Sequence, residues 1–146
     1  MAPMIFAKSI LDGKYIDIYN KGEMYRDFTY IDDVVNLIIR CVEKPFILNN
    51  QFDFLKPDIS ESFAPHRIYN IGNGKPIKLI RFIEYLEEYL GIEAKKRFLE
   101  MQPGDVLSTH ADTSKIKEWI GEYKMTDFKN GIKKFVTWYK KFHLKK

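Results

Sequence analysis

An α/β fold, with a small mixed sheet and several packed helices, follows from three features of this 146-residue sequence. Short segments alternate polar and apolar residues, as at Tyr15–Tyr19 and Arg67–Ile71. Between them lie longer runs whose apolar residues recur at helical spacing, best seen at Leu79, Phe82, Ile83, Leu86 and Leu90. Glycines punctuate the ends of those runs, at Gly13, Gly91 and Gly121. Strands that alternate with helices place the helices against a sheet.

The elements follow in order. Residues 3–13 read as a helix: Pro3 suits the first turn, Ile5, Phe6, Ile10 and Leu11 line one side, and Gly13 ends it. Tyr15-Ile16-Asp17-Ile18-Tyr19 alternates and reads as a strand. The loop Asn20-Lys21-Gly22-Glu23 follows, and then Arg26-Asp27-Phe28-Thr29-Tyr30, an extended segment that feeds a helix. That helix carries Val34, Val35, Leu37, Ile38, Cys41 and Val42 on its expected core side and ends near Lys44-Pro45. Its acidic start, Asp32-Asp33, suits a helix N-terminus, where carboxylates meet exposed amide hydrogens and the positive end of the dipole.

Residues 46–66 show no period and contain Pro57 and Pro65, which predicts a long loop. Residues 67–71 read as a strand, Gly72-Asn73-Gly74 as a turn, and 79–90 as an amphipathic helix closed by Gly91. A strand over 93–99 follows, and then a short helix capped by Asp112 and ended by Gly121. A last helix starts near Asp127, with Phe128, Ile132, Phe135, Val136, Tyr139 and Phe142 on one face. There is no internal repeat, and the length suits one domain, residues 1–146.

Composition narrows the function classes. Hydrophobic residues make up 45% of the chain, enough for a core. The net charge is +4, with lysines gathered near the C-terminus (Lys133, Lys134, Lys140, Lys141, Lys145, Lys146). Such a cluster suits nucleic acid or an anionic surface, or simply the solvated face of a helix. The lysines alternate with a core face and have little aromatic interleaving on the polar side, so no nucleic-acid partner is expected, and without a membrane-spanning apolar run no membrane partner is expected either. The single cysteine, Cys41, cannot form an internal disulfide, and its apolar setting suggests a reduced, cytoplasmic thiol. No apolar run approaches membrane-spanning length, and no signal peptide is visible.

Several catalytic patterns are not met. His66, His110 and His143 lie far apart without partners at metal-ligand spacing. Gly72-Asn73-Gly74-Lys75 lacks the third glycine of a dinucleotide fingerprint, since Ile77 stands in its place, and lacks the Lys-Ser/Thr of a P-loop. Asp32-Asp33 could serve as paired carboxylates, but helix capping explains them. Two polar groupings are more telling. Arg26, held by an extended segment beside a glycine-containing loop, is placed either to grip a phosphate or to pair with a neighbouring carboxylate. In Gln102-Pro103-Gly104-Asp105, Pro-Gly makes a tight turn with Gln102 and Asp105 on either side, suited to sugar hydroxyls or to a plain polar turn.

Taken in order, Met1–Phe6, Ile16-Asp17-Ile18-Tyr19-Asn20, Arg26–Asp33, Ala64-Pro65-His66-Arg67-Ile68-Tyr69-Asn70-Ile71-Gly72-Asn73, Gln102–Val106 and Ala111–Lys115 form a pattern over essentially the whole chain. It resembles the C-terminal half of nucleotide-sugar epimerases of the extended short-chain dehydrogenase/reductase family. The long 46–66 loop, and Gln102 where many relatives carry arginine, look most like UDP-glucuronate 4-epimerases.

The resemblance implies the UDP-sugar-binding portion of a Rossmann-type epimerase without its dinucleotide-binding core. It implies that Arg26 contacts the pyrophosphate, that Asp17 and Tyr19, on a strand, lie along the uracil, and that Gln102 and Asp105 lie near the ribose and phosphate. It also implies that strand 67–71 joins the sheet of the nucleotide-binding domain.

The family's hydride transfer through NAD needs a Gly-x-x-Gly-x-x-Gly turn and a Tyr-x-x-x-Lys pair. Neither occurs here: Tyr85, Tyr89 and Tyr139 are followed four residues later by Tyr89, Glu93 and His143. The expectation is therefore no catalytic residue, no metal, NAD bound only in the full-length family, and a chain inactive alone. It would self-associate as a homo-oligomer through the open 67–71 edge or the apolar helices beside it, or pair with a separate Rossmann-domain chain. A non-enzymatic sugar-nucleotide-binding or assembly module is the alternative.

Overall fold

The computed structural model describes residues 2–143. Among the described residues there are five α-helices and four short strands: α1 (Ala2–Leu11), β1 (Tyr15–Ile18), β2 (Tyr25–Arg26), α2 (Ile31–Glu43), β3 (Ile77–Lys78), α3 (Leu79–Leu90), β4 (Lys95–Phe98), α4 (Ser114–Ile120) and α5 (Phe128–His143). The mixed α/β class expected from the sequence is the one observed. The chain divides into two compact units, one of Met1–Phe28, Lys75–His110 and Thr126–Lys146, the other of Thr29–Gly74 and Ala111–Met125.

The first unit holds the main core. β1 and β4 pair in parallel, with Tyr15 opposite Lys95 and Ile18 opposite Phe98. Period-2 alternation turns Ile16 and Ile18 inward, where they meet Phe6, Ala7 and Ile10 of α1 and Phe82, Ile83, Leu86 and Leu90 of α3. α5 adds Ile132, Val136 and Tyr139. Phe28 stacks on Phe82 with ring centroids 5.0 Å apart and lies 5.2 Å from Phe128, which ties the end of the β2 segment into this core.

α3 ends as its sequence predicts. Gly91 takes φ +75°, and its amide donates to the Glu87 carbonyl at 2.9 Å. The Glu87 carboxylate then accepts from the Ala94 amide at 2.7 Å and pairs with Lys96 at 2.7 Å, leading the chain into β4. At the other end of α5, Asp127 accepts from the Asn130 amide through its side chain and from the Gly131 amide through its carbonyl, so it marks the helix start.

The second unit is built from α2, α4 and the long connection between α2 and β3. Leu37 and Ile116 are its buried apolar residues. Arg40 and Lys44, at the end of α2, donate to the carbonyls of Ile120 and Trp119 at the end of α4, where cations complement the helix dipole. The Trp119 indole donates back to the Lys44 carbonyl at 3.1 Å, and Phe46 stacks on its ring at 4.4 Å.

Residues 46–66 form no helix or ladder of their own. Side-chain turns shape them instead: Asn49 accepts from the Gln51 amide, Asp53 from Leu55, Asp58 from Ser60 and Ser62 from Ala64.

Four expectations need correction. Residues 67–71 form no strand; Arg67 makes one antiparallel bridge to Glu61, and a ladder needs a partner segment that the described residues do not supply. β1 stops at Ile18, so Tyr19 opens a 3-10 turn, Tyr19–Gly22, in which Asn20 and Lys21 take φ of +47° and +53°. α2 buries only Leu37 of its expected core face, while Val35, Ile38 and Val42 are exposed and Cys41 is half-buried. Phe142 likewise lies 62% exposed, because the last turn of α5 runs past the core.

Candidate functional site

Arg26 is fixed by three backbone segments of the first unit. β2 pairs antiparallel with β3, Tyr25 opposite Lys78 and Arg26 opposite Ile77. On its other side β2 meets residues 107–109: the Tyr25 amide donates to the Leu107 carbonyl at 2.8 Å, and the Thr109 amide to the Tyr25 carbonyl at 3.2 Å. The Asp27 amide donates to the Thr109 hydroxyl at 3.0 Å. The short strand thus gains the ladder partners that two residues alone could not provide.

The turn before residues 107–109 brings up Asp105. Gly104 takes φ +82°, which the glycine position of a Pro-Gly type II turn requires, and the Asp105 amide donates to the Gln102 carbonyl at 3.2 Å. Asp105 then accepts from Arg26 Nη2 and from the Val106 amide, both at 2.8 Å. Arg26 Nη1 donates to the Tyr25 carbonyl at 2.9 Å and the Leu107 carbonyl at 3.4 Å. Both members of the pair are mostly covered, with side chains 23% and 30% exposed. A guanidinium has five N–H donors in a planar fork, and these bonds hold that fork in one plane. Gln102 stands exposed at the head of the turn.

Asp17 is engaged elsewhere in the same unit. It sits opposite Arg97 in the β1–β4 register and accepts from Arg97 Nε at 2.6 Å and Nη2 at 2.9 Å. The hydrogen bond from Arg97 holds the Asp17 carboxyl below its ordinary range. Tyr19 lies half-buried at the start of the 3-10 turn. The structure therefore joins Arg26, Asp105 and Gln102, and sets Asp17 on β1 and Tyr19 in the 3-10 turn that follows it. Arg97, Thr109 and the ion pair of Lys78 with Glu23 at 2.7 Å were not singled out in the sequence. Arg97 was legible in principle, since opposite charges on two adjacent strands favour cross-strand pairing.

Other chemistry finds less support. Among the described residues no group of His, Cys, Asp and Glu side chains could hold a metal ion. No described helix is long and apolar enough to cross a membrane. In the second unit a cleft of about 320 Å3 is lined by Asp58, Glu61, Arg67, Lys115 and Trp119, among others. Both of its cations are already engaged: Lys115 donates to Asp58 and Ser60, and Arg67 pairs with Glu61 at 3.7 Å. Phe46 and Lys44 both lie against the Trp119 ring, so it offers no open platform. Gly72-Asn73-Gly74 leads through Lys75, Pro76 and β3 into α3, not directly from a strand into a helix N-terminus, so this turn is not a dinucleotide phosphate loop.

With the fold and this constellation in place, comparison with known proteins is direct. Residues 3–72 match the model of the NAD dependent epimerase/dehydratase family. Three examples illustrate what the chain is similar to. It is 42% identical over 145 residues to Protein CapI of Staphylococcus aureus, covering 99% of this chain and 43% of that one. It is 38% identical over 140 residues to a probable UDP-glucuronate 4-epimerase of Rhizobium meliloti, covering 95% of this chain and 41% of the relative. The Bacillus cereus UDP-glucuronic acid 4-epimerase, solved with UDP-glucuronic acid and NAD, superposes with a TM-score of 0.76 at 25% identity, over 98% of this chain and 40% of that one. The chain thus spans about two fifths of the length of these relatives.

Proposed function

We propose that this chain is the UDP-sugar-binding part of an NAD-dependent nucleotide-sugar 4-epimerase acting on UDP-glucuronate and UDP-galacturonate. The observation that carries the proposal is the Arg26–Asp105 pair, set beside the Gln102–Asp105 turn by strands from three parts of the first unit. Arg26 offers a planar cation, already oriented, to a diphosphate, and a bidentate guanidinium grip suits phosphate oxygens better than a lysine would. Asp105 supplies an acceptor for ribose hydroxyls, and Gln102 an amide donor for a phosphate oxygen or an acceptor for a hydroxyl. Asp17, on β1, and Tyr19, at the start of the 3-10 turn after it, line the place of the uracil.

Hydride transfer at the sugar belongs to residues outside this chain's described surface. The chain alone therefore binds without turning over, and UDP-glucuronate supplied with NAD stays unconverted. The exposed apolar face of α2, with Ile31, Val35, Ile38, Ile39 and Val42 between 45% and 73% exposed, supports a further polypeptide surface covering the second unit. That surface is either more of the same polypeptide or a separate Rossmann-domain chain. Calorimetric titration with UDP tests the reading. Binding that disappears in Arg26→Ala is expected, and a folded chain that takes up no UDP at millimolar concentration refutes it.

A further inference from the structure

The last helix carries a surface that nucleotide-sugar binding does not use. α5 contains Lys129, Lys133, Lys134, Lys140 and Lys141 and no acidic residue. Two of these lysines turn toward α3: Lys129 pairs with Glu88 at 2.9 Å, and Lys140 donates to the Tyr89 carbonyl at 2.8 Å. Lys133, Lys134 and Lys141 are exposed.

Trp138 lies four residues after Lys134 and four before Phe142, so these three share one stripe of the helix, with Lys141 alongside. This stripe lies away from Ile132, Val136 and Tyr139, which face the core. Trp138 is 44% exposed and Phe142 62% exposed, with ring centroids 5.8 Å apart. The Lys141 ammonium sits 5.5 Å from the Phe142 ring.

The helix dipole accounts for cations in the last turn, but not for Lys133 and Lys134 in the middle of the helix. Nor does it account for two large aromatic rings held in water beside them. A tryptophan and a phenylalanine flanked by lysines match the headgroup layer of an anionic bilayer, where rings enter the interface and ammonium groups meet lipid phosphates. Nucleic acid is matched less well, because the Trp138 ring already meets Phe142 at a tilt and Tyr139 and His143 edge-on, and does not stand apart to receive a base.

We propose that the Lys134–Trp138–Lys141–Phe142 face of α5 adsorbs the protein to anionic lipid surfaces. The contact is peripheral, with the helix lying in the plane of the interface and its inner side still packed on the first unit. It uses neither Arg26 nor Asp105, and so stands independently of the proposed function.

Sedimentation of the 146-residue chain with vesicles tests this. Vesicles of phosphatidylcholine with about one third phosphatidylglycerol should bind it at least ~10-fold more strongly than phosphatidylcholine alone, and binding should fall steeply in high salt. Lys134→Glu combined with Lys141→Glu, both exposed, should weaken that binding about 10-fold without altering the circular dichroism. Trp138→Ser with Phe142→Ser should weaken it similarly, and the charge-reversal variant decides the matter if the aromatic one unfolds. Equal binding to neutral and anionic vesicles, an unchanged affinity on charge reversal, or displacement from vesicles by RNA at lower concentration than by lipid would each overturn the proposal.

Discussion

The Arg26–Asp105 pair makes a quantitative claim, because its strength follows from how it is buried and bonded. A fully exposed ion pair contributes ~0–1 kcal/mol, whereas a charge-assisted hydrogen bond shielded from water contributes ~1.5–3 kcal/mol. With a 2.8 Å contact and side chains 23% and 30% exposed, the pair lies between these limits, and solvent screening brings the expected coupling to about 1.5 kcal/mol. Removing Arg26 leaves little else unsatisfied. The Tyr25 carbonyl keeps the Thr109 amide, and the Leu107 carbonyl keeps the Tyr25 amide. Arg26→Ala should therefore cost about 2 kcal/mol in all, most of it through Asp105. Asp105→Asn retains an oxygen for the Val106 amide and loses mainly the charge. A double-mutant cycle with Arg26→Ala and Asp105→Asn, read by urea unfolding at neutral pH, measures the coupling. A value below ~0.5 kcal/mol would place the pair with ordinary surface ion pairs and remove the reason to regard Arg26 as pre-oriented.

Three further expectations rest on separate parts of the structure. Gly91→Ala forces a side chain into φ +75° and should cost about 1 kcal/mol, seen as a melting temperature lower by a few degrees; an unchanged value would mean that α3 does not end there. Phe82→Ala, at a fully buried site in contact with Phe6 and Phe28, should cost ~3–5 kcal/mol in chemical unfolding, and a loss under ~1 kcal/mol would contradict the core as described. The carboxyls of Asp17 and Asp58 are held below their ordinary value of 3.8, by Arg97 and by Lys115 with Ser60 respectively. A depressed folded-state value means that both contributions are complete above about pH 4 and are lost as acid protonates the two groups. Asp17→Asn together with Asp58→Asn should therefore flatten the fall in stability below pH 4, and an unaltered acid limb would show that neither pair matters.

Much of the first unit was legible because its signals are local. The apolar spacing of α3 and the glycine after it fix both its buried face and its end, and the Pro-Gly turn sets Asp105 back toward the chain. The partnership of Arg26 with Asp105 was not legible in that way. It spans 79 residues and depends on β2 receiving one neighbour from residues 107–109 and another from β3. The bland and the functional expectations for Arg26 meet in one geometry, since it is ion-paired and also oriented. What misled elsewhere was the assumption that an apolar pattern is covered within this chain. The helical spacing of α2 is real, yet Val35, Ile38 and Val42 are exposed, and the alternating residues 67–71 form a single β-bridge, Arg67 with Glu61, in place of a ladder. Tyr19 reads as the last strand residue because alternation does not announce the left-handed backbone of Asn20 and Lys21 that follows.

Amide chemical-shift mapping of the labelled chain during titration with UDP-glucuronate tests most directly whether the first unit holds the nucleotide. Perturbations centred on Arg26, Gln102, Asp105 and Val106, saturating together and absent in Arg26→Ala, are expected. Shifts confined to the cleft around Lys115 and Trp119, or none at millimolar ligand, would contradict the assignment of Arg26 as the phosphate contact.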